Sequence, residues 1–220
     1  MEWEKKPVLG YVPTGSTNDF AMGLGIPQDI EEAVRCILDG TPHTFDAGHM
    51  VDRYFSYVAS FGAFTETSYS TPQDMKNVMG HMAYLIGALK DITLDEVFNV
   101  KAEADGRTYE GKYVFGAVMN ARSVGGVMKF DESQVDLCDG LLEVMLVKQP
   151  RNIADLTNIL NAVSFRDYDN PVLNFFKTSS LKITCDRDIS WSLDGERYDT
   201  GKEVALSCVH DAFSILLKDQ

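Results

Sequence analysis

A chain of 220 residues with 45% hydrophobic, 24% charged and 10% aromatic content holds one or two packed domains, and it is too apolar to be disordered and too varied to be fibrous. Lys and Arg total 20 against 33 for Asp and Glu, a formal charge of −13. That charge repels the phosphates of nucleic acid and of an anionic bilayer, so no nucleic-acid partner is expected.

The segment Pro7–Val12 is short, apolar and bounded by prolines, and predicts a buried strand. The polar turn Thr14–Asp19 follows, then a brief helix from Phe20 that stops at Gly23 and Gly25 ahead of Pro27. Asp29 opens a second helix over Ile30–Leu38, with Ile30, Ala33, Val34, Ile37 and Leu38 on one face and Gly40 as the stop. Strand, turn and helix are α/β grammar, but one such unit does not make a parallel sheet. Residues 1–40 therefore read as the remnant of an α/β domain, and residues 41–220 as a β-rich domain whose last strand can return to the first.

From Thr41 the pattern changes. Thr44–His49 and Tyr54–Phe61 carry the β-branched and aromatic content of strands, and Gln73–Asp91 carries apolar residues at helical spacing. Glu96–Ala104, the turn Asp105-Gly106, Arg107–Tyr109 and Lys112–Asn120 then predict a hairpin series, since Asp-Gly between alternating runs favours a tight reversal. Leu141–Val147 predicts a strand and Asn152–Val163 a helix. The tail predicts strands at Leu181–Cys185, Ile189–Leu193, Arg197–Tyr198, Val204–Val209 and Phe213–Leu217. Consecutive hairpins with inserted helices predict an α+β fold, mostly an antiparallel β-sandwich. The four cysteines form no C-x-x-C pair, the four histidines show no metal-ligand spacing, and the first residues lack a signal-peptide core. These features predict reduced thiols and a cytoplasmic protein.

Three acidic turns are candidates for chemistry. In Pro13–Asp19, Gly15 permits close backbone approach, Ser16, Thr17 or Asn18 can cap the next helix or face a phosphate, and Asp19 can hold a hydrated Mg²⁺. In Gln134–Leu141, Asp136, Asp139 and a backbone carbonyl offer an oxygen cage for a hard cation, and equally a solvated turn. In Trp191–Arg197, Asp194-Gly195 is first a hairpin turn; it also holds a carboxylate rigidly enough to take a proton from a hydroxyl, with Glu196 on the opposite strand.

In order, Pro13-x-Gly15-Ser16-Thr17-Asn18-Asp19-Phe20-Ala21, Phe45-Asp46-Ala47-Gly48, Gly125-Gly126, Asp136-x-x-Asp139-Gly140-Leu141-Leu142 and Leu193-Asp194-Gly195-Glu196 resemble the diacylglycerol kinase-like bacterial lipid kinases, relatives of the sphingosine kinases. The resemblance implies an α/β domain that binds ATP and a β-rich domain with a lipid-facing cleft. It implies that Gly15, Ser16, Thr17 and Asn18 face the nucleotide phosphates, that Asp19 and Asp46 organise a catalytic Mg²⁺, and that Asp136, Asp139 and the Leu141 carbonyl hold a second, structural Mg²⁺. Asp194 is similar to the family's proposed general base, with Glu196 beside it.

The family's Asn-Pro-x-Ser-Gly and Gly-Gly-Asp-Gly-Thr segments do not occur in this sequence, and Lys129-Phe130-Asp131 stands where an apolar, proline-containing stretch is usual. The expected reaction of the family is transfer of the ATP γ-phosphate to a lipid hydroxyl, with diacylglycerol as the substrate. The chain by itself is expected to be inactive, because phosphoryl transfer depends on positioning. The alternatives are a non-catalytic lipid- or partner-binding module and a soluble-substrate kinase. Transient contact with a membrane surface and homodimerisation through the Val8–Val12 region are further expectations.

Overall fold

The computed structural model describes residues 6–15, 17–63, 97–125 and 128–218. The helix expected over Gln73–Asp91, together with Ser16 and Gly126, lies outside the described residues. The first pieces are a short strand β1 (Val8–Leu9), a one-turn helix α1 (Asp19–Gly23) and helix α2 (Ile30–Asp39). Strands β2 (Thr41–Met50), β3 (Arg53–Phe55) and β4 (Val58–Gly62) follow. After the next described residues come β5 (Phe98–Ala104), β6 (Arg107–Met119), β7 (Ser123–Val124), β8 (Met128–Lys129) and β9 (Leu142–Lys148). Helix α3 (Ile153–Ser164) precedes β10 (Leu173–Thr178), β11 (Ser180–Cys185), β12 (Ile189–Leu193), β13 (Glu196–Thr200) and β14 (Glu203–Leu217).

Twelve of these strands form one sheet in the order β13-β12-β4-β6-β5-β11-β14-β2-β3, with β1 added to β14, β9 to β6 and β10 to β9. Among the described pairings, β1 with β14 is parallel and the rest are antiparallel. The expected α+β class, dominated by antiparallel β, is what the chain adopts. The sheet curls, and both of its faces are covered along the middle strands. On β9 the alternation sends Met145 and Val147 into one apolar cluster and Leu142, Val144 and Leu146 into another. β6 does the same from Phe115 onward, with Phe115, Ala117 and Met119 on one side and Val118 on the other, while Tyr113 and Val114 break the alternation at the register shift between Tyr113 and Phe115. Each such Leu, Val, Met or Phe, fully buried, contributes roughly 1.5–3 kcal/mol.

Two helices close the first cluster. Asn152 caps α3 by accepting the Asp155 N–H at 2.9 Å, and the helix buries Leu156, Ile159 and Ala162 at helical spacing. Asp29 caps α2 by accepting the Glu32 N–H at 3.0 Å. The α2 stripe read from the sequence is only partly covered: Ala33 and Cys36 are buried, whereas Ile30, Val34 and Leu38 are exposed. The face against β14 is set by the small residues, so the large aliphatics turn outward.

Several strands differ from the sequence expectation; the buried strand expected over Pro7–Val12 is the two-residue β1, whose Val8 and Leu9 are exposed. Arg107–Met119 is one continuous strand, and the long strand β14 joins the expected Val204–Val209 and Phe213–Leu217 runs across a register shift between Val209 and Phe213. In that bulge Asp211 has φ 53°. The expected strand Tyr54–Phe61 is instead two, β3 and β4, interrupted at Ser56 and Tyr57. The interruption has a donor-level cause: the N–H groups of Ser56, Tyr57 and Val58 all point at the carboxylate of Asp194.

Candidate functional site

The β12–β13 hairpin turns at Asp194 (φ 46°) and Gly195 (φ 94°), the left-handed pair that a two-residue reversal requires. The turn aims the Asp194 carboxylate at the β3–β4 break. Oδ2 accepts the Ser56 N–H at 2.7 Å and the Ser56 hydroxyl at 3.1 Å. Oδ1 accepts the N–H groups of Tyr57 and Val58 at 3.0 and 2.9 Å. A carboxylate has about four lone-pair positions, and all are taken. Asp194 is therefore a clamp as well as an acid group. It lies on the wall of a cleft of about 410 Å³ lined also by Tyr11, Phe20, Tyr57, Phe213 and Ile215. Glu196 is exposed on β13, opposite Leu193.

Asp19 reaches the same region from α1. It is buried, and the Ser123 hydroxyl donates to its Oδ1 at 2.6 Å. Between Asp19 and Asp194 stands Tyr57. Burial pushes its phenol well above the ordinary tyrosine range, and the negative charges of Asp19 and Asp194 push the same way. The Tyr57 oxygen accepts the Gly125 N–H at 3.1 Å, so the first glycine of the Gly125-Gly126 pair is tied to this centre. The Gly15 turn is closed from within, since Asn18 Oδ1 accepts the Gly15 N–H at 2.7 Å and Asn18 Nδ2 donates to Gln28 at 2.9 Å. Asn18 makes no side-chain cap to α1, contrary to the simplest reading of a polar residue there. Thr17 is exposed.

Asp46 belongs to a second centre. It is fully buried on β2, and its Oδ2 accepts the Gly140 N–H at 2.7 Å. Its Oδ1 lies 2.9 Å from His210 Nδ1 and accepts the Asp211 N–H at 2.8 Å. The motif glycine two residues on has a packing reason, because a Cβ on Gly48 would overlap the Phe55 ring. Asp136 and Asp139 turn partly back on their own loop, accepting the N–H groups of Cys138 at 3.1 Å and Leu141 at 3.0 Å. The second Asp139 oxygen accepts from Lys177 at 3.0 Å. Lys177 also lies 3.4 Å from Glu143, a fully buried carboxyl that burial pushes up to about 8 despite the nearby ammonium. At 3.4 Å the ammonium lies close by, but neither Glu143 oxygen makes a hydrogen bond to a described residue.

The charge of this centre is registered by two thiols. Burial first, then Asp136, Asp46 and Asp211, push Cys138 up to about 11. Burial first, then Asp46, push Cys208 up to about 12, with Asp139 and Glu143 adding to the shift. Asn120 joins the two centres. Its N–H donates to the Tyr57 carbonyl at 3.1 Å, while its side-chain amide donates to the Asp46 carbonyl at 2.9 Å and the Leu137 carbonyl at 3.2 Å. The structure thus places Asp194 on the cleft wall and Asp19 near enough for both to act on Tyr57, and gathers Asp46, Asp136 and Asp139 in a neighbouring cluster.

Sequence reasoning passed over Tyr57, Asn120, Glu143, Lys177, His210 and Asp211. Glu143 had a signal, being a charged residue inside the apolar run Leu141–Val147. His210 and Asp211 had another, because they interrupt the apolar pattern between two predicted strands.

Curled antiparallel sheet, acidic turns and cleft define a class. Residues 59–216 match the model of the YegS C-terminal NAD kinase beta sandwich-like domain, and residues 1–50 match the diacylglycerol kinase catalytic domain. The chain belongs to this diacylglycerol kinase-like family. It is 29% identical over 195 residues to the diacylglycerol kinase of Bacillus subtilis (strain 168), covering 88% of this chain and 64% of that one. It is 30% identical over 197 residues to the diacylglycerol kinase of Staphylococcus epidermidis (strain RP62A), covering 89% of this chain and 61% of that one. It spans under two thirds of the length of these relatives. A crystal structure of a diacylglycerol kinase from Bacillus anthracis str. Sterne shares the fold at TM-score 0.71 and 20% identity, covering 98% of this chain and 69% of that one. A second crystal structure from that strain does so at TM-score 0.77 and 24% identity, covering 98% and 70%.

Proposed function

We propose that this chain forms the lipid-facing, proton-accepting part of an ATP-dependent lipid kinase that phosphorylates a hydroxyl of diacylglycerol. The observation that carries the reading is the convergence of Asp19 and Asp194 on Tyr57 beside an apolar cleft. Leu9, Phe20, Phe213 and Ile215 give the cleft walls suited to the glycerol end of a lipid. No helix among the described residues is long and apolar enough to cross a membrane.

On this reading a substrate hydroxyl takes the place of the Ser56 hydroxyl on Asp194 Oδ2. That is the longest of the four hydrogen bonds at Asp194, at 3.1 Å, and a like-for-like exchange keeps the three backbone N–H donors paired. Asp194 then takes the hydroxyl proton as the oxygen attacks phosphorus, and Glu196 lies one turn away on the hairpin. Asp19 is held by Ser123 in one orientation, and Gly15, Ser16, Thr17 and Asn18 supply the loop facing the nucleotide. Asp136, Asp139 and the Leu141 carbonyl are hard oxygen donors on one short loop, the donor set that fits Mg²⁺. Bound there, Mg²⁺ would supply charge neutralisation and loop rigidity.

The test is phosphorylation of diacylglycerol in mixed micelles with Mg-ATP, comparing this chain with its fusion to the preceding segment of the Bacillus subtilis relative. Activity is expected in the fusion, absent in the chain by itself, and lost from the fusion on Asp194→Asn. Wild-type turnover by a folded Asp194→Asn fusion would overturn the assignment.

A further inference from the structure

We propose that Asp46, His210 and Asp211 bind a divalent transition ion, with an imidazole nitrogen in the ligand set. The inference concerns residues outside the sequence motifs, apart from Asp46, and does not depend on the kinase reading.

The three side chains can each place one ligand atom so that all lie within 4.8 Å of one another. Two ligands bound about 2.1 Å from one ion and at right angles to each other stand about 3 Å apart. Asp46 Oδ1 and His210 Nδ1 are already 2.9 Å apart. Asp211 closes the group from the adjacent residue, and the β-bulge that turns residues 210–212 out of the β14 ladder brings both side chains over Asp46. The base of the site is fully buried and rigid, while His210 and Asp211 are partly exposed, giving an ion a route in.

Charge favours the same reading. Asp46 Oδ1 accepts the Asp211 N–H, Asp46 Oδ2 accepts the N–H of Gly140 next to Asp139, and Lys177 lies between Asp139 and Glu143, so carboxyl groups from several strands gather in one region. The facing cations among the described residues are Lys177 on Asp139 and Glu143, and Lys6 on Asp211 at 3.5 Å. Of the contacts on the Asp46 carboxylate, His210 is the one that can carry a full positive charge, and then only when protonated. An ion would replace the imidazole proton between Nδ1 and Oδ1, leave the ring neutral with its hydrogen on Nε2, and displace the exposed Lys6.

The ligand type sets the selectivity. Mg²⁺ prefers oxygen donors, whereas an imidazole raises affinity along the series from Mn²⁺ to Zn²⁺. This separates the group from Asp136, Asp139 and the Leu141 carbonyl, which offer oxygen alone. Mn²⁺ is the better probe, because Zn²⁺ would also recruit the nearby thiols of Cys138 and Cys208.

The experiment loads the chelator-stripped full chain with Mn²⁺, measures affinity by calorimetry against Mg²⁺, and records pulsed electron paramagnetic resonance for nitrogen coupling. The proposal expects Mn²⁺ to bind at least tenfold more tightly than Mg²⁺ and to show one coupled imidazole nitrogen. His210→Gln should abolish the nitrogen signal and weaken Mn²⁺ binding by at least the roughly 10–100-fold that loss of an outer-shell partner costs, and Asp211→Asn should weaken binding while keeping the signal. Asp139→Asn should leave the signal intact. The proposal is overturned by absence of Mn²⁺ binding, by a missing nitrogen signal, by a signal that survives His210→Gln in a folded variant, or by a signal lost on Asp139→Asn.

Discussion

The Asp194 clamp and the Asp46 cluster are both built around a carboxylate that accepts backbone N–H groups, yet they balance charge differently. Asp194 sits on an exposed turn and faces four donors on one short loop, so its hydrogen bonding is complete without another charge. Asp46 is fully buried and shares its region with Asp139 and Glu143, so its surroundings stay short of positive charge. One centre is assembled for geometry. The other gathers carboxyl groups around a buried one.

Substitutions sharpen that contrast. The largest effect is expected at Asp46: Asp46→Ala strands the N–H groups of Gly140 and Asp211 and should cost about 3–5 kcal/mol, read from urea unfolding. Asp194→Ala removes four acceptor contacts near solvent, where water can replace some, and should cost about 2 kcal/mol by the same measurement. Equal costs at the two positions would erase the distinction drawn above.

Glu143 provides a pH test of the charged centre. Its folded-state value near 8 lies above the ordinary glutamate value of 4.5, so the native chain holds a proton that the unfolded chain releases. Between those values stability should fall as pH rises, reach its full penalty above about 8, and recover below 4.5. Glu143→Gln should flatten that slope in metal-free unfolding measurements across the range; an unchanged slope would show that the carboxyl is ionised in the fold. The smallest effect on stability is expected on α2, where Leu38→Glu at an exposed position should change it by less than about 0.5 kcal/mol. We propose that the exposed Val8, Leu9, Ile30, Val34 and Leu38 support self-association. Leu38→Glu should then weaken it in sedimentation runs, and a monomer at high concentration before the change would end that idea.

What could be read beforehand follows the range of the interactions. The Asp194-Gly195 turn, the Asp29 cap and the helix opened by Asn152 are decided within a few residues, and each forms where the local chemistry places it. The break at Ser56 and Tyr57 was not legible, because the group that causes it lies 138 residues from Ser56 in sequence. The pairing of Asp46 with His210 spans 164 residues and was equally hidden. For α2 the period was legible but the covered side was not, since Ala33 and Cys36 rather than the larger aliphatics meet β14. Local rules locate acidic turns; the partner of each carboxylate is a property of the sheet.

The pairing of β1 and β2 with β14 has a consequence for how the chain is made. Val8 pairs with Ser214 and Thr41 with Leu217, so β1, and all of β2 except its Gly48–Met50 end on β3, has no ladder partner among the described strands until β14 has been synthesised. Refolding should therefore be slow for a protein of this length, with hairpins such as β5–β6 and β12–β13 gaining hydrogen-exchange protection first and the seam along β14 last. On the ribosome, the first half of β2 would wait for its ladder through most of translation, and the Asp46 carboxylate would gain its His210 and Asp211 contacts only when β14 is laid down.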